Sequence, residues 1–217
     1  MKKHIYFVPG TAANSKIFDR IKLDDQKYEM HFLTWHIPSS KNQSIESYAS
    51  ELCQQVTHKN PILIGVSFGG IMVQEMSKII DYEKLVIISS IKNKYELPKG
   101  LKIIKKLKLY TLAPTRIIVP LEQLLTLSFG KKAKKQIEAY RMYLSQRDAT
   151  YLKWSIKKVL FWDQEKSISN IIHIHGTKDF IFPIESIENC ISIEKGSHTM
   201  ILTKAQKINK ILSQELT

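Results

Sequence analysis

Cysteine is nearly absent from this chain: two among 217 residues, Cys53 and Cys190, in separate apolar segments and without metal-ligand spacing. No disulfide framework is expected, and a reducing compartment fits. Long hydrophobic runs are missing too, since no stretch approaches the roughly 18 uncharged apolar residues of a membrane span. The opening "MKKHIYFVPG" holds a short apolar run before Pro9-Gly10. That run is too short for a secretory signal and reads as a first strand. A soluble, cytoplasmic protein follows as the expectation, with no internal repeat or low-complexity linker. A chain of this length buries a full core without staples, as one domain or as one domain carrying an insertion.

Acidic residues are scarce relative to basic ones, 20 against 33, for a net charge of +13. The deficit is local. Residues 1–90 carry ten Lys/Arg and nine Asp/Glu, residues 167–217 carry five of each, and residues 91–166 carry eighteen against six. Two neutral parts therefore flank a basic middle segment.

The outer parts alternate strand and helix signals. Strands are expected over 4–10, 28–38, 60–67, 84–90, 170–177 and 189–196, and helices over 13–21, 45–56, 69–80 and 199–214. Ser44 stands where an N-cap belongs. The run "NPILIGVS" is continuously apolar, as in a strand covered on both faces. Strands separated by helices make a mainly parallel α/β sheet of about six strands flanked by helices. Residues 1–90 and 167–217 form this core, and 91–166 a helical basic insertion. In its "KGLKIIKKLKLYTLAP", Ile103, Ile104, Leu107 and Tyr110 share one side of a helix and Lys102, Lys105 and Lys106 lie elsewhere. "GKKAKKQIEAYRMYLSQRD" and "ATYLKWSIKKVLFW" also have helical spacing.

The third strand ends in Gly65-Val66-Ser67-Phe68-Gly69-Gly70, a Gly-x-Ser-x-Gly nucleophile elbow. A side chain at so sharp a strand-to-helix turn needs small neighbours on either side, and Gly70 lets the helix approach the sheet. The hydroxyl then projects beside a helix N-terminus, where N–H groups favour developing negative charge. By itself the pentapeptide also fits an ordinary glycine-rich turn or a phosphate-holding loop. Chain order adds to it. Asp179 stands in the turn after "IIHIHGT", and His198 in the turn after "CISIEKG", both on the sheet edge that carries Ser67. A serine nucleophile needs a base, and the base an orienting carboxylate; Ser, Asp, His is the order in which this elbow architecture supplies them.

In "GVSFGG", "HGTKDFIFP", "GSHTM" and "FVPGTAANS" the chain resembles the α/β-hydrolase superfamily, over both outer parts. The resemblance implies a parallel-dominated sheet, a helical lid where 91–166 lie, and hydrolysis of a carboxylic ester or thioester through an acyl-enzyme. The family's usual first two strands have no counterpart before "HIYFV", and the oxyanion loop reads Pro9-Gly10-Thr11 in place of the commoner His-Gly. Carried onto this sequence, Ser67 is the nucleophile, His198 the base and Asp179 its orienting carboxylate. The backbone N–H groups of Phe68 and Thr11 are the oxyanion donors, with Ala12 the alternative to Thr11.

Glu185 rivals Asp179, but its position is not a strand end. His4, His31, His36 and His58 are read as packing or exposed residues. His173 and His175 share one face of a strand but lack a third ligand, so no metal and no cofactor are expected. His175 is assigned to bracing the Asp179 turn. Gly10, Trp35 and Met200 are the expected substrate contacts, with Phe68 lining the acyl side. The lysine-rich lid reads either as a solvated face or as recognition of an anionic partner, such as an acyl-CoA or acyl-carrier-protein thioester. Peripheral membrane contact also fits the basic amphipathic "GLKIIKKLKLY", and nucleic acid fits least. The rival class is a catalytically silent hydrolase-like module whose cationic lid docks an acidic partner.

Overall fold

The computed structural model of the chain describes residues 2–108, 142–143 and 148–217. Six strands form one sheet: β1 (Lys3–Val8), β2 (Tyr28–Phe32), β3 (Ile62–Val66), β4 (Lys84–Ile88), β5 (Ile172–Gly176) and β6 (Ile191–Ile193). Their order is β2-β1-β3-β4-β5-β6 and every pairing is parallel. The carboxyl ends of all six strands therefore face one edge.

Alternation along β1 divides the core into two layers. Tyr6 and Val8 join the layer built on α1 (Ile45–Cys53) and α2 (Phe68–Met76). Ile5 and Phe7 join Ile62, Ile64, Val86, Ile88 and Ile174 in the other, which is covered by α5 (Met200–Thr203) and α6 (Ala205–Glu215). A sheet covered on both faces accounts for the unbroken apolar run of β3, all five residues of which are buried. Ser44 caps α1 as expected, its hydroxyl accepting the Ser47 N–H at 3.0 Å.

Three differences from the sequence expectation have a local cause, two in a side chain that competes for backbone hydrogen bonds and one in a backbone dihedral. The helix expected over 13–21 is a single 3-10 turn, Ser15–Phe18, because the Asn14 side chain takes the Lys16 N–H at 2.9 Å. β2 stops at Phe32 because the Gln55 amide satisfies both the N–H and the carbonyl of Thr34, at 3.0 and 3.1 Å. The C-terminal helix is split at Lys204, whose φ of −124° leaves the helical region between α5 and α6.

Between β4 and β5 the described residues hold α3 (Lys99–Lys106) and α4 (Ala149–Phe161). Residues 109–141 and 144–147, with Tyr110 and most of the helical stretch expected over 130–148, lie outside the described residues. Both roots of this segment are tied to α2, the first through Gln74 Nε2, which donates to the Ile91 carbonyl at 2.9 Å. Trp162 Nε1 donates to Glu75 at 2.7 Å, and Gln164 donates to Gln74 at 3.0 Å and to the Lys92 carbonyl at 2.7 Å. In α3, Ile103 and Leu107 stand exposed on the stripe that the spacing predicts.

Candidate active site

Ser67 joins β3 to α2 with φ 55° and ψ −119°, a conformation few non-glycine residues adopt. Its backbone is pinned from both sides: the N–H donates to the Ile88 carbonyl at 2.9 Å, and the Ser90 hydroxyl donates to the Ser67 carbonyl at 2.7 Å. The turn closes so tightly that a Cβ on Gly65 would stand 2.2 Å from the Gly69 carbonyl oxygen. One on Gly69 would stand 2.2 Å from the Val8 carbonyl oxygen, and one on Gly70 2.5 Å from the Ser90 side chain. These glycines are dictated by close approach of backbone on backbone, as the steric reading of the pentapeptide requires.

Two further turns bring the partners. Asp179 follows β5, and its Oδ1 accepts the N–H groups of Ile181 and Phe182 at 2.8 and 3.0 Å, which locks the carboxylate against its own turn. His198 follows β6. The two turns are tied together, Thr177 N–H donating to Ile193 at 3.1 Å and Lys178 N–H to Gly196 at 2.8 Å. The three distant side chains meet in line. His198 Nε2 is 2.9 Å from Ser67 Oγ, and His198 Nδ1 is 2.9 Å from Asp179 Oδ2. With Nδ1–H donated to the carboxylate, Nε2 carries the lone pair that accepts from the serine hydroxyl. Glu185, the rival carboxylate, is exposed in the turn Ile184–Ser186.

Asp179 is buried, and burial pushes its carboxyl up; the charge and hydrogen bond of His198, the Phe182 N–H and His175 together outweigh that and hold it below its ordinary value. The aspartate is thus a fixed negative charge against the imidazole. His175 braces the same turn, with Nε2 donating to the Phe182 carbonyl at 2.8 Å. Its Nδ1 then accepts from His173 Nε2 at 3.1 Å. The pair forms a buried hydrogen-bonded chain ending on a carbonyl. Burial pushes His173 down to about 2, and His175 is also lowered, chiefly by burial.

The loop after β1 lies against the serine: a Cβ on Gly10 would be 3.5 Å from Ser67 Cβ. The Gly10 carbonyl accepts Trp35 Nε1–H and the Ala13 N–H, both at 3.0 Å. Among the described residues no peptide is cis, so the Thr11 N–H points the opposite way from that carbonyl, away from Trp35 and Ala13. Ala12 instead turns its N–H to the Tyr151 hydroxyl at 3.4 Å. Phe68, as the first residue of α2, has a backbone N–H without an intrahelical acceptor.

Two of the expected substrate contacts are buried. Met200 is fully buried in the layer beneath α5, where it fills the core and has no surface to offer a ligand. Trp35 is buried behind the Gly10 turn, its ring stacked on Phe68 at 5.4 Å and its N–H spent on the Gly10 carbonyl. Three residues at the site had no sequence assignment. Phe182 packs edge-on against the His198 ring at 5.6 Å, Ser90 holds the serine's carbonyl, and Tyr151 of α4 reaches the Ala12 N–H. The DFIFP turn hints at the first; the others depend on packing between distant segments.

No protein-family model and no curated protein matches the chain in sequence. Solved structures do match in fold. A candidate non-heme bromoperoxidase of Mycobacterium tuberculosis superposes with a TM-score of 0.75 at 11% identity, covering 100% of this chain and 92% of that one. A lipase-esterase related protein of Clostridium acetobutylicum gives 0.65 at 17% identity, over 98% and 93% of the two chains. An alpha/beta hydrolase enzyme from a Medee basin deep-sea metagenome gives 0.67 at 12%, over 99% and 90%. The chain has the α/β-hydrolase fold.

Proposed function

We propose that the protein is a serine hydrolase that cleaves a carboxylic ester or thioester through an acyl-enzyme on Ser67. The observation that carries this reading is the single imidazole of His198, 2.9 Å from the Ser67 hydroxyl and 2.9 Å from the buried Asp179 carboxylate. Ser67 Oγ attacks the carbonyl carbon while His198 Nε2 takes its proton. Asp179 keeps the tautomer and stabilises the imidazolium. The imidazolium returns the proton to the leaving alcohol or thiol as the tetrahedral intermediate collapses. Water, deprotonated by the same nitrogen, then releases the acid and regenerates Ser67.

The oxyanion is assigned to the N–H groups of Phe68 and Thr11, the latter turned away from the contacts that hold the Gly10 carbonyl. Donors of this kind contribute roughly 10²–10³ in rate each. The solved structures bearing esterase names support the ester class. The basic segment 91–166 is assigned as a lid that attracts an anionic acyl donor, such as a phosphopantetheine thioester. A panel of short activated esters and acyl-CoA thioesters tests the reading. Turnover is expected, and Ser67→Ala should lower it by roughly 10³-fold or more. Silence across the panel, together with salt-sensitive binding of an acidic protein, would assign the fold to binding instead.

A further inference from the structure

A second constellation lies at the other end of the sheet and takes no part in the proposed hydrolysis. In the β1–β2 register His4 pairs with Glu29 and Tyr6 with His31, so His4, Tyr6, Glu29 and His31 share one face of two adjacent strands. His58 joins them from the connection between α1 and β3. The imidazoles of His4 and His58 stack with centroids 3.4 Å apart, and the His31 ring lies 5.3 and 4.9 Å from them. His4 Nδ1 and His31 Nε2 stand 3.0 Å apart. The Glu29 carboxylate lies 3.7 Å from the first and 3.9 Å from the second. One ring nitrogen from each histidine falls within 4.8 Å of the other two.

Sequence reasoning treated these histidines one at a time, as packing or exposed residues. Together they resemble a ligand set. Imidazole is the commonest protein ligand for a first-row transition metal, and three imidazoles with one carboxylate complete a four-coordinate shell. Bonds of about 2.0–2.1 Å at tetrahedral angles place ligand nitrogens roughly 3.3 Å apart, close to the spacing of His4 and His31. A ligating histidine is usually held through its other nitrogen. Tyr6 supplies that hold, with its hydroxyl 2.7 Å from His58 Nδ1 while it accepts the Thr57 N–H at 3.0 Å. With Nδ1–H on Tyr6, His58 Nε2 keeps its lone pair. Binding then asks the stacked His58 ring to turn toward the other two.

We propose that His4, His31, His58 and Glu29 bind a divalent transition-metal ion, zinc by preference, in a site that links β1, β2 and the α1–β3 connection. His4 lies at the amino end of β1, second after Lys3, whereas Ser67 follows the carboxyl end of β3, so the role is structural and independent of the hydrolytic reading.

The test uses the full chain, stripped with chelator, loaded with zinc alone and desalted. One equivalent of zinc should remain and the melting temperature should rise. Cobalt(II) in its place should give the visible absorption of a four-coordinate site. The double variant His31→Ala/His58→Ala should bind at least 10²-fold more weakly and lose the absorption band. The milder Glu29→Gln, at a half-exposed side chain, should weaken binding while preserving the fold. Tyr6→Phe should weaken it roughly tenfold, as expected for an outer partner. Hydrolysis by the wild type should survive chelation. Zinc binding by the wild type no tighter than by the double variant, whether none or at another histidine, would overturn the site.

Discussion

At Ser67 the chain holds a positive φ on the side chain proposed as nucleophile, and the cost is met by neighbours without side chains of their own. Gly65→Ala would drive a methyl to 2.2 Å from the Gly69 carbonyl, against backbone that cannot move aside. Overpacking of this kind costs about 1–3 kcal/mol or more. A clear fall in melting temperature with loss of ester turnover is expected; a variant of unchanged stability would contradict the tight turn. This much was legible from sequence, because steric demand at a turn is local and Gly65, Ser67 and Gly69 state it within five positions. The burial of Trp35 and Met200 was not legible, for the opposite reason. Lying next to a site in sequence does not say whether a side chain faces the cleft or the core, and the second layer under α5 claims Met200 entirely.

Among elements, the oxyanion loop depends on its contacts with others. Trp35, beyond β2, holds the Gly10 carbonyl, and Tyr151 of α4 holds the next peptide through the Ala12 N–H. Within the proposed mechanism Trp35 is a positioning residue for the Thr11 N–H. Trp35→Phe keeps the stacking on Phe68 but removes the donor. It should lower kcat about tenfold with KM nearly unchanged, since the lost organisation matters only once charge develops on the oxygen. Equal losses in both parameters, or no loss in kcat, would leave Trp35 a packing residue. The parallel sheet of about six strands was legible from strands separated by helices. The ends of β2, the 3-10 turn and α5 were not, because Gln55, Asn14 and Lys204 redirect backbone bonds through side-chain or dihedral details that hydrophobic periodicity does not carry.

For the whole molecule, buried histidines couple folding to acidity. His173 is held at about 2 in the folded chain against about 6.5 when unfolded. Its depressed value means that the unfolded chain binds the extra proton first. Its contribution is complete above pH 6.5 and is lost as pH falls from 6.5 towards the folded value. His173 alone should remove about 1.6 kcal/mol of stability between pH 6.5 and pH 5, and His175 acts in the same direction. Denaturant unfolding at the two values checks this, and a flat profile would contradict buried neutral rings. The uneven charge is also a property of the whole. Replacing Lys99, Lys102, Lys105 and Lys106 of α3 by glutamate should raise KM for an acyl-CoA thioester several-fold and blunt its salt dependence, leaving a neutral ester unaffected. Unchanged kinetics on the thioester would reduce these lysines to a solvated surface.

The most direct measurement is the intact mass of the protein after brief exposure to a fluorophosphonate, followed by mapping of the adduct. The triad predicts one added phosphonyl group, on the peptide containing Ser67, absent from Ser67→Ala and strongly slowed in His198→Gln. An adduct of equal yield in Ser67→Ala, or none in the folded wild type, would contradict it.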